Sequence, residues 1–392
     1  MTLVAFWFLV LAVLWVGFFV LEGFDFGVGM LHGVIGRDEP GRRAVIGTIA
    51  PVWDGNEVWL IVAIAGTFAA FPGWYATMLS AYYPVVLVVL IGLILRGVAF
   101  EFRSHADGDR GRRVWGAALA AGSAVIPLGL GIMLGGLLGG IPIDSSQEFV
   151  GNLGDLLSPY ALATGVTLTL LCCLHGAAFL SLRTTGAALH ARARRAARVL
   201  APVTAVLVLG FCIWTRVVAG GGFLLSFIEL VGVLAAIAAA VLARGARNGA
   251  AFAATTVTLV AVVASILSEL YPRVMVSSLG SANDLTTSNT ASASYALTVM
   301  TVVLAVLLPV VLLYQGWTYH VFRRRLRGAR VGGDESESGP TIPAQREEEP
   351  PAGASAGPAR APSRRDMSEA ARDGGSRRSG DAHGPGSARE SS

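Results

Sequence analysis

The sequence runs to 392 residues, of which 54% are hydrophobic and only 14% charged, against about a quarter charged in an ordinary soluble domain. That balance sets aside a water-soluble globular protein, and a net charge of +4 gives no electrostatic reason to expect nucleic acid as a partner. Three cysteines, Cys172, Cys173 and Cys212, lie inside apolar runs without CxxC or Cys/His spacing, so neither a disulfide framework nor a zinc site is indicated.

A hydrocarbon core of ~30 Å takes about 20 residues of helix to cross. Runs of that length recur along the chain and predict nine spans, at 3–29, 49–71, 76–98, 114–138, 159–182, 199–218, 223–243, 251–271 and 295–322. The first has no basic segment before it and no small-residue cleavage site, so it reads as a retained span, not a signal peptide. The second and third are separated only by Phe71-Pro72-Gly73-Trp74-Tyr75, a turn that demands an antiparallel hairpin, with aromatics suited to the headgroup region.

Arginine placement orients the spans. Every one of the 30 basic residues is Arg; fifteen lie after odd-numbered spans and only two, Arg216 and Arg273, after even-numbered ones. Short basic loops stay cytoplasmic, so the N-terminus is expected outside and the C-terminus inside. Domain limits follow as a nine-helix membrane domain over 1–325 and a disordered cytoplasmic tail over 326–392. From about Val331 onward the composition turns to Pro, Gly, Ser, Arg and acidic residues, with too little apolar surface to offset the entropy of ordering. Acidic residues outnumber arginines eleven to eight there, which argues against a polybasic membrane-binding role.

Carboxylates in the spans need a reason, since a charged group at mid-membrane costs roughly 2.5–3.5 kcal/mol on insertion scales. Glu22 and Asp25 are three residues apart, on one helix face. Glu22 lies about 28 Å along the axis from Leu3, towards the cytoplasmic end. The second span opens with Asp54 and Glu57, again on one face, and the third closes with Arg96, Glu101 and Arg103. All of these can share one leaflet. The plainer reading is a salt-bridged girdle at the helix ends. Five carboxylates with two nearby arginines, flanked by glycine, fit a proton entry path better than neutral pairing.

Other polar and aromatic residues carry less. Trp53, Trp59 and Trp74 read as interfacial or packing residues; Glu229 reads as the cap of a polar pocket or a helix-packing hydrogen bonder, and Glu269 lies at the outer end of the eighth span. His175 alone among the histidines lies well inside a span, one short of a bis-histidine haem, so no metal and no haem ligated by this chain are expected.

The segments Glu22-Gly23-Phe24-Asp25-Phe26-Gly27-Val28-Gly29-Met30, Ile49-Ala50-Pro51-Val52-Trp53-Asp54-Gly55-Asn56-Glu57-Val58-Trp59-Leu60 and Arg96-Gly97-Val98-Ala99-Phe100-Glu101-Phe102-Arg103 resemble subunit II of the cytochrome bd oxidases. So do Tyr271-Pro272-Arg273-Val274-Met275 and Leu308-Pro309-Val310-Val311-Leu312-Leu313-Tyr314-Gln315-Gly316-Trp317. The resemblance covers about residues 1–325. It implies an all-α integral membrane fold of nine helices, as two four-helix bundles plus one peripheral helix. It implies a partner, subunit I, that holds two b-type haems and haem d and the quinol site, and in some members a small single-span subunit. Quinol and O₂ would be substrates of the complex, in the bacterial cell membrane. Asp25, Asp54 and Glu101 match family positions linked to proton uptake and Trp59 one near the oxygen route. Glu22 and Glu57 join that path, Arg96 and Arg103 supply supporting charge, and some members also hold a structural quinone in this subunit. Two competing readings are a proton-coupled secondary transporter, which wants a midplane site between inverted repeats that the second half does not supply, and a purely structural scaffold.

Overall fold

The computed structural model describes residues 2–184, 186–245 and 247–321. The expected 326–392 tail lies outside the described residues. Thr2 opens the first helix, α1 (Leu3–Ile35), by accepting a hydrogen bond from the Ala5 amide on its hydroxyl. Then α1 continues past the expected end at residue 29. A short helix, α2 (Glu39–Ile46), follows after the Asp38 cap. Its polar, Arg-bearing sequence keeps it too short to span.

Where a two-helix hairpin was expected the chain forms three helices, α3 (Trp53–Ala70), α4 (Pro72–Ala81) and α5 (Tyr83–His105), and α3 packs mainly on α1 while α5 packs mainly on the next long helix. Pro72 starts α4 in the first turn, where its missing N–H costs nothing. Pro84 does the same for α5, so the predicted third span is broken at Tyr82. The chain continues through α6 (Gly108–Gly139), the one-turn α7 (Leu153–Leu156), α8 (Pro159–Arg183), α9 (Ala187–Val218), α10 (Phe227–Arg244) and α11 (Asn248–Leu270). Here α9 begins twelve residues before the apolar run at 199, because the Arg-rich stretch from Ala187 is itself a good helix former. A small antiparallel pair, β1 (Arg273–Met275) and β2 (Leu285–Thr286), precedes α12 (Ser294–Val321).

Among the described residues, eight helices are long and apolar enough to cross a membrane. The 18-residue α3 is not among them, because Asp54, Asn56 and Glu57 crowd its first turns. The core sits where α8 packs against α1, α6, α9 and α11. At the α1–α8 crossing a Cβ on Gly27 would come 2.7 Å from the Gly176 Cα, so only glycine lets the two backbones touch. By contrast α12 buries little of itself, yet is pinned near both ends. Trp7 Nε1 donates to the Leu297 carbonyl and the Thr301 hydroxyl, and Gln315 and Tyr319 reach Asn56 on α3.

Candidate functional site

Because α1 runs on to Ile35, Glu22 lies about 20 Å from that end of the helix, inside the bundle. Helix α5 brings Arg96 against it. Arg96 Nη1 donates to Glu22 Oε1 at 3.2 Å and Nη2 lies 3.0 Å from Oε2, and both side chains are fully buried. Two ions taken out of water need good geometry and further partners to offset desolvation. The aromatic rings of Phe26, Trp53 and Phe100 supply some of that, with centroids 5.0, 5.7 and 5.5 Å from the guanidinium carbon. Trp53 and Phe100 stack on each other at 4.6 Å, so α3 and α5 together wall the cation.

One turn along α1, Asp25 Oδ2 accepts from Asn56 Nδ2 at 2.7 Å. Asn56 Oδ1 accepts in turn from Tyr319 Oη at 2.8 Å and Gln315 Nε2 at 3.1 Å. Asp25 is fully buried and its Oδ1 has no hydrogen-bond partner. Glu57 is the link outward: it lies 3.9 Å from Arg96 and its side chain is 21% exposed. The cluster therefore offers one guanidinium to three carboxylates, and its polar chain runs from buried α1 through α3 to α12.

Other residues anticipated for the path stand apart. Asp54 is exposed in the first turn of α3. The Glu101 side chain is 75% exposed, with His105 Nδ1 3.6 Å away. Arg103 is buried but bonded to Glu39 at 2.7 Å. Trp59 packs on α1 where a Cβ at Gly17 would come 2.5 Å from its ring. The structure thus brings together Glu22, Asp25, Glu57 and Arg96 and leaves Asp54, Glu101 and Arg103 nearer the surface or in another pairing. Sequence reading missed Asn56, Gln315 and Tyr319 as participants. Two signals were available: a polar amide beside Asp54 and Glu57, and a lone Gln in the apolar last span.

His175 is fully buried, with Nδ1 2.7 Å from Thr255 Oγ1 and its ring stacked on Phe252 at 4.5 Å. It acts as a packing residue. Among the described residues no group of three or more His, Cys, Asp or Glu converges as a metal site. Glu229 and Glu269 share Arg216, at 3.7 and 2.5 Å, and the Glu229 carboxylate also caps α10 by accepting from the Ser226 amide at 2.8 Å.

The family model of cytochrome bd terminal oxidase subunit II matches residues 3–322. The chain belongs to that family. Its relatives include the cytochrome bd ubiquinol oxidase subunit 2 of Bacillus subtilis, 44% identical over 324 residues, covering 82% of this chain and 96% of that one. The cytochrome bd-I ubiquinol oxidase subunit 2 of Escherichia coli K12 is 35% identical over 350 residues, covering 80% and 92%. The bd oxidase from Geobacillus thermodenitrificans shares the fold at a TM-score of 0.57 with 20% identity, over 83% of this chain and 100% of that one. As a member of the family, the chain is a multi-pass protein of a bacterial membrane and a subunit of a terminal oxidase complex.

Proposed function

We propose that this chain is the haem-free subunit of a quinol:oxygen oxidoreductase, and that its own chemistry is to carry protons from the cytoplasm towards the partner's haems. Subunit I then holds the two b-type haems, haem d and the quinol site. Reduction of O₂ to water consumes one proton per electron, so a membrane-embedded oxidase needs a protonatable route through low-dielectric protein.

The observation that carries this reading is the Glu22–Asp25–Arg96 cluster, buried in the membrane part of a bd-family subunit with more carboxylate than guanidinium. Asp54 and Glu101 form the exposed entry. Glu57 bridges them to Glu22 and Asp25, while Arg96 and Arg103 hold local negative charge in place. Trp59, against α1, borders the oxygen route. We take α3 as the ninth span, paired with α4 and α5, because the positive-inside pattern of the loops fails without it. That gives the N-terminus outside, the C-terminus cytoplasmic, and two four-helix bundles, with the sparsely buried α12 peripheral.

The test is the complex purified from native membranes. Its visible spectrum should show b- and d-type haems carried by a co-purifying larger subunit. A haem-free, single-subunit preparation that consumes no oxygen would overturn the reading.

A further inference from the structure

At the end of the helices that carries α2, a cavity of about 240 Å³ opens between the last turns of α1 and α5 and the first turns of α6. Its polar side is His32, Arg42, Arg103, Arg112 and Arg113. Two carboxylates touch these groups: Glu39 on Arg103 at 2.7 Å and Asp109 on Arg112 at 3.0 Å. Four guanidinium groups against two carboxylates leave two positive charges, before Glu39 is shared further with Arg43.

Hydrogen-bond capacity is also left over. The Nε atoms of Arg103 and Arg112 are buried without a partner. His32 donates Nδ1–H to the Gly29 carbonyl at 2.7 Å, so its Nε2, towards α6, is an acceptor and adds no donor to those of the arginines. There Gly116 lacks the Cβ that would come 3.1 Å from His32 Nε2 and 3.6 Å from Arg103 Nε. The opposite lip is apolar. Met30 on α1 and Ala117 and Ala120 on α6 lie on the span side of the arginines, and Ala117 is exposed.

From this juxtaposition we infer that the cavity is a binding site for the phosphate of an anionic phospholipid, with the acyl chains leaving over the apolar lip of α1 and α6. A surplus of guanidinium with free N–H groups matches phosphate oxygens. Basic pockets between membrane helices at the bilayer edge hold such headgroups. The volume suits a headgroup and not a drug-sized ligand. A freely dissolved phosphate would use the same arginines but would gain nothing from the apolar lip.

The experiment titrates the delipidated oxidase complex with phosphatidylglycerol, phosphatidylcholine and inorganic phosphate by native mass spectrometry. The wild-type complex should retain phosphatidylglycerol in preference to phosphatidylcholine. Arg112→Gln with Arg113→Gln should weaken that retention by roughly 30-fold. Ala117→Phe, which fills the cavity without removing a charge, should weaken it at least as much and decides the matter if the double variant does not assemble. Arg110→Gln, exposed and outside the cavity, should leave it unchanged. Equal binding of the two lipids, unchanged binding in both cavity variants, an equal fall in Arg110→Gln, or displacement of the lipid by millimolar phosphate would each overturn the inference.

Discussion

Two charged clusters lie within the helices, and in each a single arginine serves more than one carboxylate. Arg216 meets Glu229 and Glu269 where α9, α10 and α11 end or begin. Arg96 meets Glu22 and Glu57 in the middle of α5. Each cluster leaves a carboxylate oxygen unpartnered, Glu229 Oε1 in one and Asp25 Oδ1 in the other, so surplus acid alone does not separate them. Position does. The Arg216 and Glu269 side chains are 19% and 17% exposed, and Glu229 is occupied in a capping box that starts α10, a role with a structural explanation. Glu22 and Asp25 cap nothing, are sealed from solvent, and connect through Asn56 to α12. A sealed acid that caps no helix and makes no ion pair of its own, as Asp25 is, is what marks the α1 cluster as the functional candidate.

The comparison can be broken most severely at Arg96. Arg96→Gln leaves Glu22 buried without its ion pair, a loss of about 3–5 kcal/mol. Little assembled complex should be recovered from membranes, as measured by the yield of haem-bearing heteromer. Asp25→Asn keeps the size of the side chain and removes only its titratable proton. It should assemble normally yet lower oxygen consumption per complex by roughly 100-fold, the scale of a positioned proton-transfer group. Arg216→Gln should lower thermal stability by about 1–3 kcal/mol through the hydrogen bonds it abandons, seen as a lower unfolding temperature, with turnover per assembled complex unchanged. The smallest effect should be Glu101→Gln. At so exposed a position water can substitute for the lost group, so oxygen consumption should fall by only about twofold and assembly should not change.

Much of this was legible from the residues. Apolar length predicted nine spans, and among the described residues eight helices have the dimensions of spans; the spacing of Glu22 and Asp25 put both on one face of α1. What escaped was tertiary. The break at Tyr82 and the helical Arg-rich start of α9 are invisible to a hydropathy window, which sees only an apolar run beginning or ending. Asn56, Gln315 and Tyr319 meet across more than 250 residues of sequence, and no local pattern reports such a contact. Trp53 read as an interfacial ring because its partner, Arg96, arrives on a different helix. Asp54 and Glu101 were grouped with Glu22 by leaflet, and leaflet does not distinguish a sealed carboxylate from one at the surface.

The most direct measurement is oxygen consumption by assembled complexes bearing Asp25→Asn or Arg216→Gln, each normalised to its haem content. Proton delivery through the α1 cluster predicts that Asp25→Asn loses turnover by about two orders of magnitude while Arg216→Gln keeps it. Wild-type turnover in fully assembled Asp25→Asn would contradict that role and return the cluster to a structural ion pair.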